Sequence, residues 1–190
     1  RVLDNNRVFI LGGNKNFHTD IPDSQNMSMI YNVKNKKFEL SKNLNFKRWY
    51  ASAVITGDQK MFLFGGVDRS VTEGHVPSTI PEMIDLKNID QGWQALEQSE
   101  SSKLFGNNNS QAEWSYPRAF LASDGNIVGI SYNKIWVMDL NNNYRLTTTG
   151  EIPLVKSGIS RINKHKNPNL ENTKEEHLKL LTVGSAVGDT

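Results

Sequence analysis

Short apolar runs recur along the chain, and each is bounded by polar turn residues. The clearest runs occupy residues 8–11, 61–64 and 178–183 and are rich in residue types that favour strands. Continuous apolar runs of this length are typical of strands that are covered on both faces. No segment sustains a 3.6-residue hydrophobic period for three turns, so the pattern predicts an all-β fold with little helix.

These runs are spaced as a repeat. Glycine doublets follow the first two runs, at residues 12–13 and 65–66, and Gly184 follows the third. When the turn aspartates are aligned, Ser131 occupies the doublet position of a further unit. The intervals are then 53 residues (12 to 65), 66 residues (65 to 131) and 53 residues (131 to 184). In each of the first three units, the doublet position is followed by an apolar residue next to a polar one, and then by an aromatic residue. This recurring order predicts one four-stranded unit that is repeated.

The repeat divides one domain, which spans residues 1–190, into four units. They lie at about residues 1–45, 46–100, 114–150 and 151–190, and the last is incomplete. Strands are predicted in the second unit at about residues 50–56, 60–64, 79–85 and 92–96, and in the third at about 116–122, 126–131, 134–139 and 144–148. The polar and charged composition of residues 156–177 predicts an exposed insertion between two strands of the fourth unit.

A four-stranded unit with this interval, a glycine doublet and a later aromatic residue resembles the kelch blade of a β-propeller. A meander or a sandwich with accidental spacing is the alternative interpretation. One blade alone buries neither of its faces, and propellers close with roughly four to eight blades. Three blades and the start of a fourth therefore predict an incomplete propeller, which the remaining blades of the same protein or of a companion chain would complete.

Composition excludes several classes of function. The chain of 190 residues contains 22 Lys plus Arg and 20 Asp plus Glu, and its net charge of +2 argues against a nucleic-acid partner. No apolar run approaches the roughly 18 residues of a membrane span. The absence of cysteine excludes disulfides, thiolate metal sites and a cysteine nucleophile within these residues. The spacing of His18, His75, His165 and His177 predicts no shared metal, and no glycine loop for phosphate is found.

One stretch is more specific than the kelch pattern. Residues 47–53, followed by a turn at Gly57 and Asp58 and by the doublet in residues 64–66, resemble the galactose oxidase and glyoxal oxidase family of copper-radical oxidases. That family has an Arg-x-Tyr step, small residues, a turn with an aspartate and a strand that ends in two glycines. Weaker similarity to the same family extends over most of residues 1–140.

The resemblance implies a chemical role for Tyr50. In that family the tyrosine of the Arg-x-Tyr step is a copper ligand near the propeller axis, is linked to a cysteine and holds a radical. Tyr50 would then be a catalytic residue and a ligand of copper, the one cofactor that the resemblance implies. By the family's spacing the cysteine would precede Arg1, and a second tyrosine and two histidines would come from later blades. A single phenolate is too few ligands to hold copper.

Arg48, Trp49 and Tyr116 are the candidate substrate-binding residues. Each has a structural alternative, because Trp49 could pack between blades and Arg48 could bond the backbone. Tyr50 and Tyr116 both lie eight residues before the aspartate of their turn (58 minus 50, and 124 minus 116), which is also compatible with a repeated packing position near the axis.

Two functions follow as hypotheses. The first is a fragment of a galactose-oxidase-like propeller that oxidises an alcohol or aldehyde with O2 and releases H2O2, which favours an extracellular or cell-surface location. The second is a non-catalytic kelch propeller that binds a glycan or a protein through its loops. Fold analogy alone does not choose between them.

Overall fold

The strands form three antiparallel sheets that follow one another along the chain. The computed structural model describes residues 1–4, 6–15, 23–70, 74–106 and 114–152. Within these residues, helix is confined to two 3-10 turns and one short α-helix, so the prediction of an all-β chain with little helix is confirmed. The predicted fourth unit, with its insertion, lies outside the described residues apart from its first two positions.

Each sheet is built from one stretch of chain and has a meander order. Sheet 1 contains β1 (Arg7–Leu11), β2 (Ser28–Asn32) and β3 (Lys37–Leu40). Sheet 2 contains β4 (Trp49–Ile55), β5 (Lys60–Ser70), β6 (Gly74–Pro77), β7 (Glu82–Asp85) and β8 (Gln94–Ala95), in the order β4-β5-β7-β8 with β6 paired to the end of β5. Sheet 3 contains β9 (Arg118–Leu121), β10 (Ile127–Ser131), β11 (Lys134–Asp139) and β12 (Arg145–Glu151).

The connection between sheets 2 and 3 contributes to the core. It contains the 3-10 turns Ile89–Gln91 and Glu97–Ser99, which flank β8, and the helix α1 (Ser102–Phe105). The hydroxyl of Ser101 caps this helix by accepting a hydrogen bond of 3.2 Å from the backbone N–H of Leu104. The cap directs Phe105 into the core, where its ring lies 5.7 Å from that of Trp136.

The predicted strands of the second and third units agree with the observed ones to within a few residues, except in β5. The prediction ended this strand at residue 64, but β5 continues to Ser70. Gly65 pairs with Ala51, and Val67 pairs with Trp49 on one side and Pro77 on the other. The glycine doublet therefore lies inside a strand rather than at its end.

Sheet 2 is buried on both faces. Side chains alternate between the two faces of a strand, so neighbouring residues of β5 enter different cores. Met61 and Leu63 pack with Phe9 of sheet 1, and Phe62 and Phe64 pack in the core that contains Trp136 and Met138 of sheet 3. All four β5 residues are at most 2% exposed. For residues 61–64, the predicted burial on two faces is confirmed.

Sheets 1 and 3 each bury one face only within the described part of the chain. On the outer face of sheet 1, the cross-strand pairs Tyr31–Phe38 and Met29–Leu40 form an apolar surface, and Leu40 is 86% exposed. On the outer face of sheet 3, Phe120 pairs with Val128 and is also exposed. The three sheets thus form a stack whose two outermost faces are apolar.

The glycine doublets are the points where one sheet meets the next. The backbone N–H of Gly66 donates a hydrogen bond of 2.7 Å to the carbonyl of Trp114, and Gly13 donates one of 2.8 Å to the carbonyl of Arg48. Gly65 has a φ of +61°, and a Cβ there would lie 2.6 Å from the Trp114 oxygen. No other residue type tolerates both this conformation and this close approach. The contact explains why the doublet recurs in the sequence.

The substitution Gly65→Ala tests this contact. We expect it to lower the free energy of unfolding by about 2–4 kcal/mol, because the new methyl group overlaps backbone and the residue stays in the left-handed region. Gly57→Ala is the matched control, since a methyl group at Gly57 would have no atom within 4 Å and this glycine has no positive φ. Chemical denaturation followed by circular dichroism measures both values, and equal losses would contradict the explanation.

Candidate functional site

Tyr50 and Tyr116 occupy the same position of the repeat and lie side by side. Both adopt the left-handed backbone conformation, with φ values of 66° and 46°, which is uncommon for a bulky residue. The backbone N–H of Tyr116 donates a hydrogen bond of 2.8 Å to the carbonyl of Tyr50. This hydrogen bond joins sheets 2 and 3 near the start of their first strands, because Tyr50 lies in β4 and Tyr116 precedes β9. The junction brings the two rings together.

Four rings form what we call the aromatic cluster: Trp49, Tyr50, Trp114 and Tyr116. Trp49 and Tyr50 are stacked with their centroids 3.9 Å apart, and Tyr50 lies 4.8 Å from Tyr116 and 6.3 Å from Trp114. These separations are typical of stacked and tilted aromatic pairs. Trp114 is buried, whereas Tyr116 is 57% exposed. The cluster therefore has an anchored inner end and an outer end that reaches solvent.

Two polar side chains border the cluster. The guanidinium of Arg69 lies 5.1 Å from the centroid of the Trp49 ring, within the range of a cation–π contact. The ring of His75 packs edge-on at 6.0 Å from Trp114, and His75 pairs with Arg69 between β5 and β6. Burial, and then the positive charge of Arg69, lower the pKa of His75, so its imidazole is neutral at pH 7.

A groove of about 630 Å³ runs along the first strands of the sheets and ends at the cluster. Its walls come from residues 8–11 of sheet 1, residues 51–53 of sheet 2 and residues 116–120 of sheet 3, together with Arg1 and Leu63. Burial, and then the neighbouring Tyr50, raise the pKa of the Tyr116 phenol. The hydroxyl group at the groove wall is therefore protonated near neutral pH and is able to donate a hydrogen bond.

Arg48 lies apart from the groove, in a buried ion pair. Its Nε donates a hydrogen bond of 2.9 Å to Glu82 Oε1, and neither side chain is exposed to solvent. Its terminal nitrogens donate to the backbone carbonyls of Gly65, at 2.5 Å, and of Ile80. Burial lowers the pKa of Arg48, although the adjacent carboxylate opposes this shift. The geometry favours the structural alternative for Arg48 over substrate contact.

The second oxygen of Glu82 is also satisfied. The backbone N–H and the side-chain Nδ2 of Asn45 donate hydrogen bonds of 2.6 and 2.8 Å to Glu82 Oε2. Sequence reasoning missed Glu82, although a carboxylate beside the apolar residues of β7 was a visible signal. It also missed the roles of Arg69 and His75, for which no sequence signal existed. Three of the predicted residues, Trp49, Tyr50 and Tyr116, do come together.

The described residues do not fit a copper centre by themselves. Within them, no group of three His, Cys, Asp or Glu side chains lies close enough together to hold a metal ion. The ring neighbours of Tyr50 are aromatic, and a phenolate needs further nitrogen or oxygen donors beside it to bind copper. His18, His165 and His177 lie outside the described residues.

Comparison with known proteins does not assign the chain to a family. No family model matches it, and no curated protein matches it. Among the described helices, none has the length and apolar character needed to cross a membrane. The functional conclusion therefore depends on the aromatic cluster, the groove and the charges beside them.

Removal of the carboxylate from the buried pair tests its structural role. We expect Glu82→Leu to destabilise the fold by about 3–5 kcal/mol, because Arg48 would remain charged and buried without its partner. Lys60→Gln is the control, since it breaks the partly exposed pair with Asp58, and its cost should stay below about 1 kcal/mol. Unfolding in urea measures both. The double variant Arg48→Met with Glu82→Leu should recover most of the loss, and a loss as large as that of Glu82→Leu alone would contradict this account.

Proposed function

We propose that the three sheets are consecutive blades of a kelch-type propeller, similar in scaffold to the galactose oxidase family. The support is that the sheet 1–sheet 2 and sheet 2–sheet 3 interfaces have the same orientation: equivalent residues of successive sheets face the same neighbour. Phe9 of sheet 1 and Phe62 of sheet 2, 53 residues apart, both face the following sheet. Met61 of sheet 2 and Ile127 of sheet 3, 66 residues apart, both face the preceding sheet. A constant front-to-back packing of equivalent units is what a propeller requires.

On this scaffold we assign the aromatic cluster to ligand binding, with a glycan as the ligand. The observation that carries the assignment is Tyr116, a ring that is 57% exposed, packed in a tilted arrangement 4.8 Å from the ring of Tyr50 and placed at the wall of the groove. A pyranose ring has a flat C–H face that packs on an aromatic ring, and its hydroxyls bond to a phenol. Concave sites with several aromatic residues and few polar groups are typical of small-ligand binding.

Truncation of the exposed ring tests this function. Tyr116→Ala should weaken binding of a soluble oligosaccharide by about tenfold, the loss expected when one stacking surface of about 1.4 kcal/mol is removed. Tyr132→Ala is the matched control, because Tyr132 is also exposed and also has a positive φ, but it lies in the β10–β11 turn.

The measurement is the change in tryptophan fluorescence when a panel of neutral and acidic oligosaccharides is titrated into the protein. Trp49 reports on the site because it stacks on Tyr50. A panel with no binding member would overturn the glycan assignment and leave a protein ligand. Equal effects of the two tyrosine variants would place the glycan elsewhere on the surface.

A copper-radical oxidase is the second candidate, favoured by the environment of Tyr50. Its φ of 66° and its stacking on Trp49 at 3.9 Å hold the phenol ring in one orientation. A fixed, stacked phenol agrees with the radical role that the resemblance to galactose oxidase implies. No group of three His, Cys, Asp or Glu side chains in the described residues could hold a metal ion, so this candidate requires residues outside them.

The oxidase candidate predicts a copper-dependent activity of the full-length protein. After copper loading and oxidation, we expect release of H2O2 from an alcohol or aldehyde and a visible absorption band of a tyrosyl radical. Tyr50→Phe should abolish both, because it removes the oxygen that binds the metal, while Tyr132→Phe should leave both unchanged. If copper loading gives no band and no peroxide, the oxidase candidate is rejected and the binding function remains.

A further inference from the structure

Arg69 is a cation without an ion-pair partner in the described part of the chain. None of the ion pairs within those ranges involves its guanidinium, and its buried Nε has no hydrogen-bond partner there. Instead, the guanidinium lies over the ring of Trp49. A partly buried guanidinium without an ion-pair partner in this part of the chain is a ready partner for an anion, because its planar fork matches the two oxygens of a carboxylate.

The neighbours of Arg69 that the structure describes form no ion pair with it. Asp68 is adjacent in sequence, but side chains alternate along β5, and its Oδ1 lies 4.0 Å from the amine of Lys47. His75, opposite Arg69, is neutral at pH 7 because burial and Arg69 itself lower its pKa. Within the described residues, the Trp49 ring is therefore in contact with the positive charge of the Arg69 guanidinium.

Cationic side chains also line the groove at the other end of the cluster. Among the described residues, the groove beside Tyr116 is lined by Arg1 and Arg118 and by no aspartate or glutamate. The order along the cluster is thus Arg69, Trp49, Tyr50 and Tyr116, with contacts of 5.1, 3.9 and 4.8 Å, followed by the arginines of the groove. Stacking surfaces that are flanked by cations complement a flat ligand that carries negative charge.

We propose that the ligand is an acidic glycan, one whose pyranose rings carry carboxylates, as in hexuronic acids. This proposal rests on the glycan-binding function assigned above and specifies its substrate class. Tyr116 packs on the face of a sugar ring, and Arg69 and Arg118 receive the carboxylates at the two ends of the cluster. A neutral glycan would use the stacking surface but would leave Arg69 without an ion-pair partner.

The test compares two probes with the same sugar backbone, oligogalacturonic acid and its methyl ester, in which every carboxylate is converted to a neutral ester; each is titrated by calorimetry. We expect the acid to bind about tenfold or more tightly than the ester at low salt, with the difference shrinking as the salt concentration rises. Arg69→Gln should reduce this preference several-fold, because it weakens binding of the acid more than binding of the ester. Arg118→Gln is a second variant with the same expected direction. Arg145→Gln, which removes an exposed arginine at the start of β12, is the charge-matched control.

Each outcome decides a different point. Equal binding of acid and ester overturns the acidic-glycan inference and leaves the glycan function in place. Binding of neither probe, together with no binding to the oligosaccharide panel, overturns both. A preference for the acid that Arg145→Gln reduces as much as Arg69→Gln does overturns the assignment to this site. Circular dichroism of each variant ensures that a loss of affinity is not a loss of fold.

Discussion

The contact between a glycine doublet and the next unit's backbone determines how the sheets are arranged. Gly13 and Gly66 bind the carbonyls of Arg48 and Trp114, and these residues stand two positions before Tyr50 and Tyr116 respectively. Each doublet thus fixes the start of the following sheet relative to one strand of the preceding sheet, β1 in sheet 1 and β5 in sheet 2. Because the approach at Gly12 and Gly65 is too close for a Cβ, these glycines are a steric requirement of the packing. The tyrosines, and with them the aromatic cluster, are positioned by the same contact.

Arg48 and Trp114 occupy the same position of the repeat, but their side chains make different kinds of contact. Both backbones accept the glycine hydrogen bond, and both side chains are buried, but one is charged and the other aromatic. The burial of Arg48 is offset by its bonds to Glu82 and to carbonyls such as that of Gly65, which lies in the second doublet itself. Trp114 instead packs against Tyr50 and His75. The Arg48 side chain thus bonds within its own sheet 2, whereas the Trp114 ring reaches back to rings of the preceding sheet, which explains why the aromatic cluster forms at the second junction.

The sequence was sufficient for features that repeat locally and insufficient for those that depend on distant partners. The apolar run at residues 61–64 predicted a strand covered on both faces, because alternation and continuous apolarity are local properties. The role of Arg48 was open because its carboxylate partner lies 34 residues away. The extension of β5 to Ser70 was missed because a glycine doublet is typical of a turn, although pairing with β4 and β6 keeps it in the strand. Arg69 gave no signal, since its significance comes from the tertiary contact with Trp49.

The candidate site also depends on the repeat itself. Tyr50 belongs to sheet 2 and Tyr116 precedes sheet 3, so the ring contact between them does not exist in an isolated unit. The groove likewise takes its walls from all three sheets. A single sheet of this chain has no second sheet to cover its apolar faces, and the packing that covers those faces is the same packing that assembles the candidate site. The geometry of the aromatic cluster is therefore coupled to the integrity of the interface between sheets 2 and 3, because both rely on the close approach at Gly65 and Gly66, and the binding function proposed for the cluster depends on that interface.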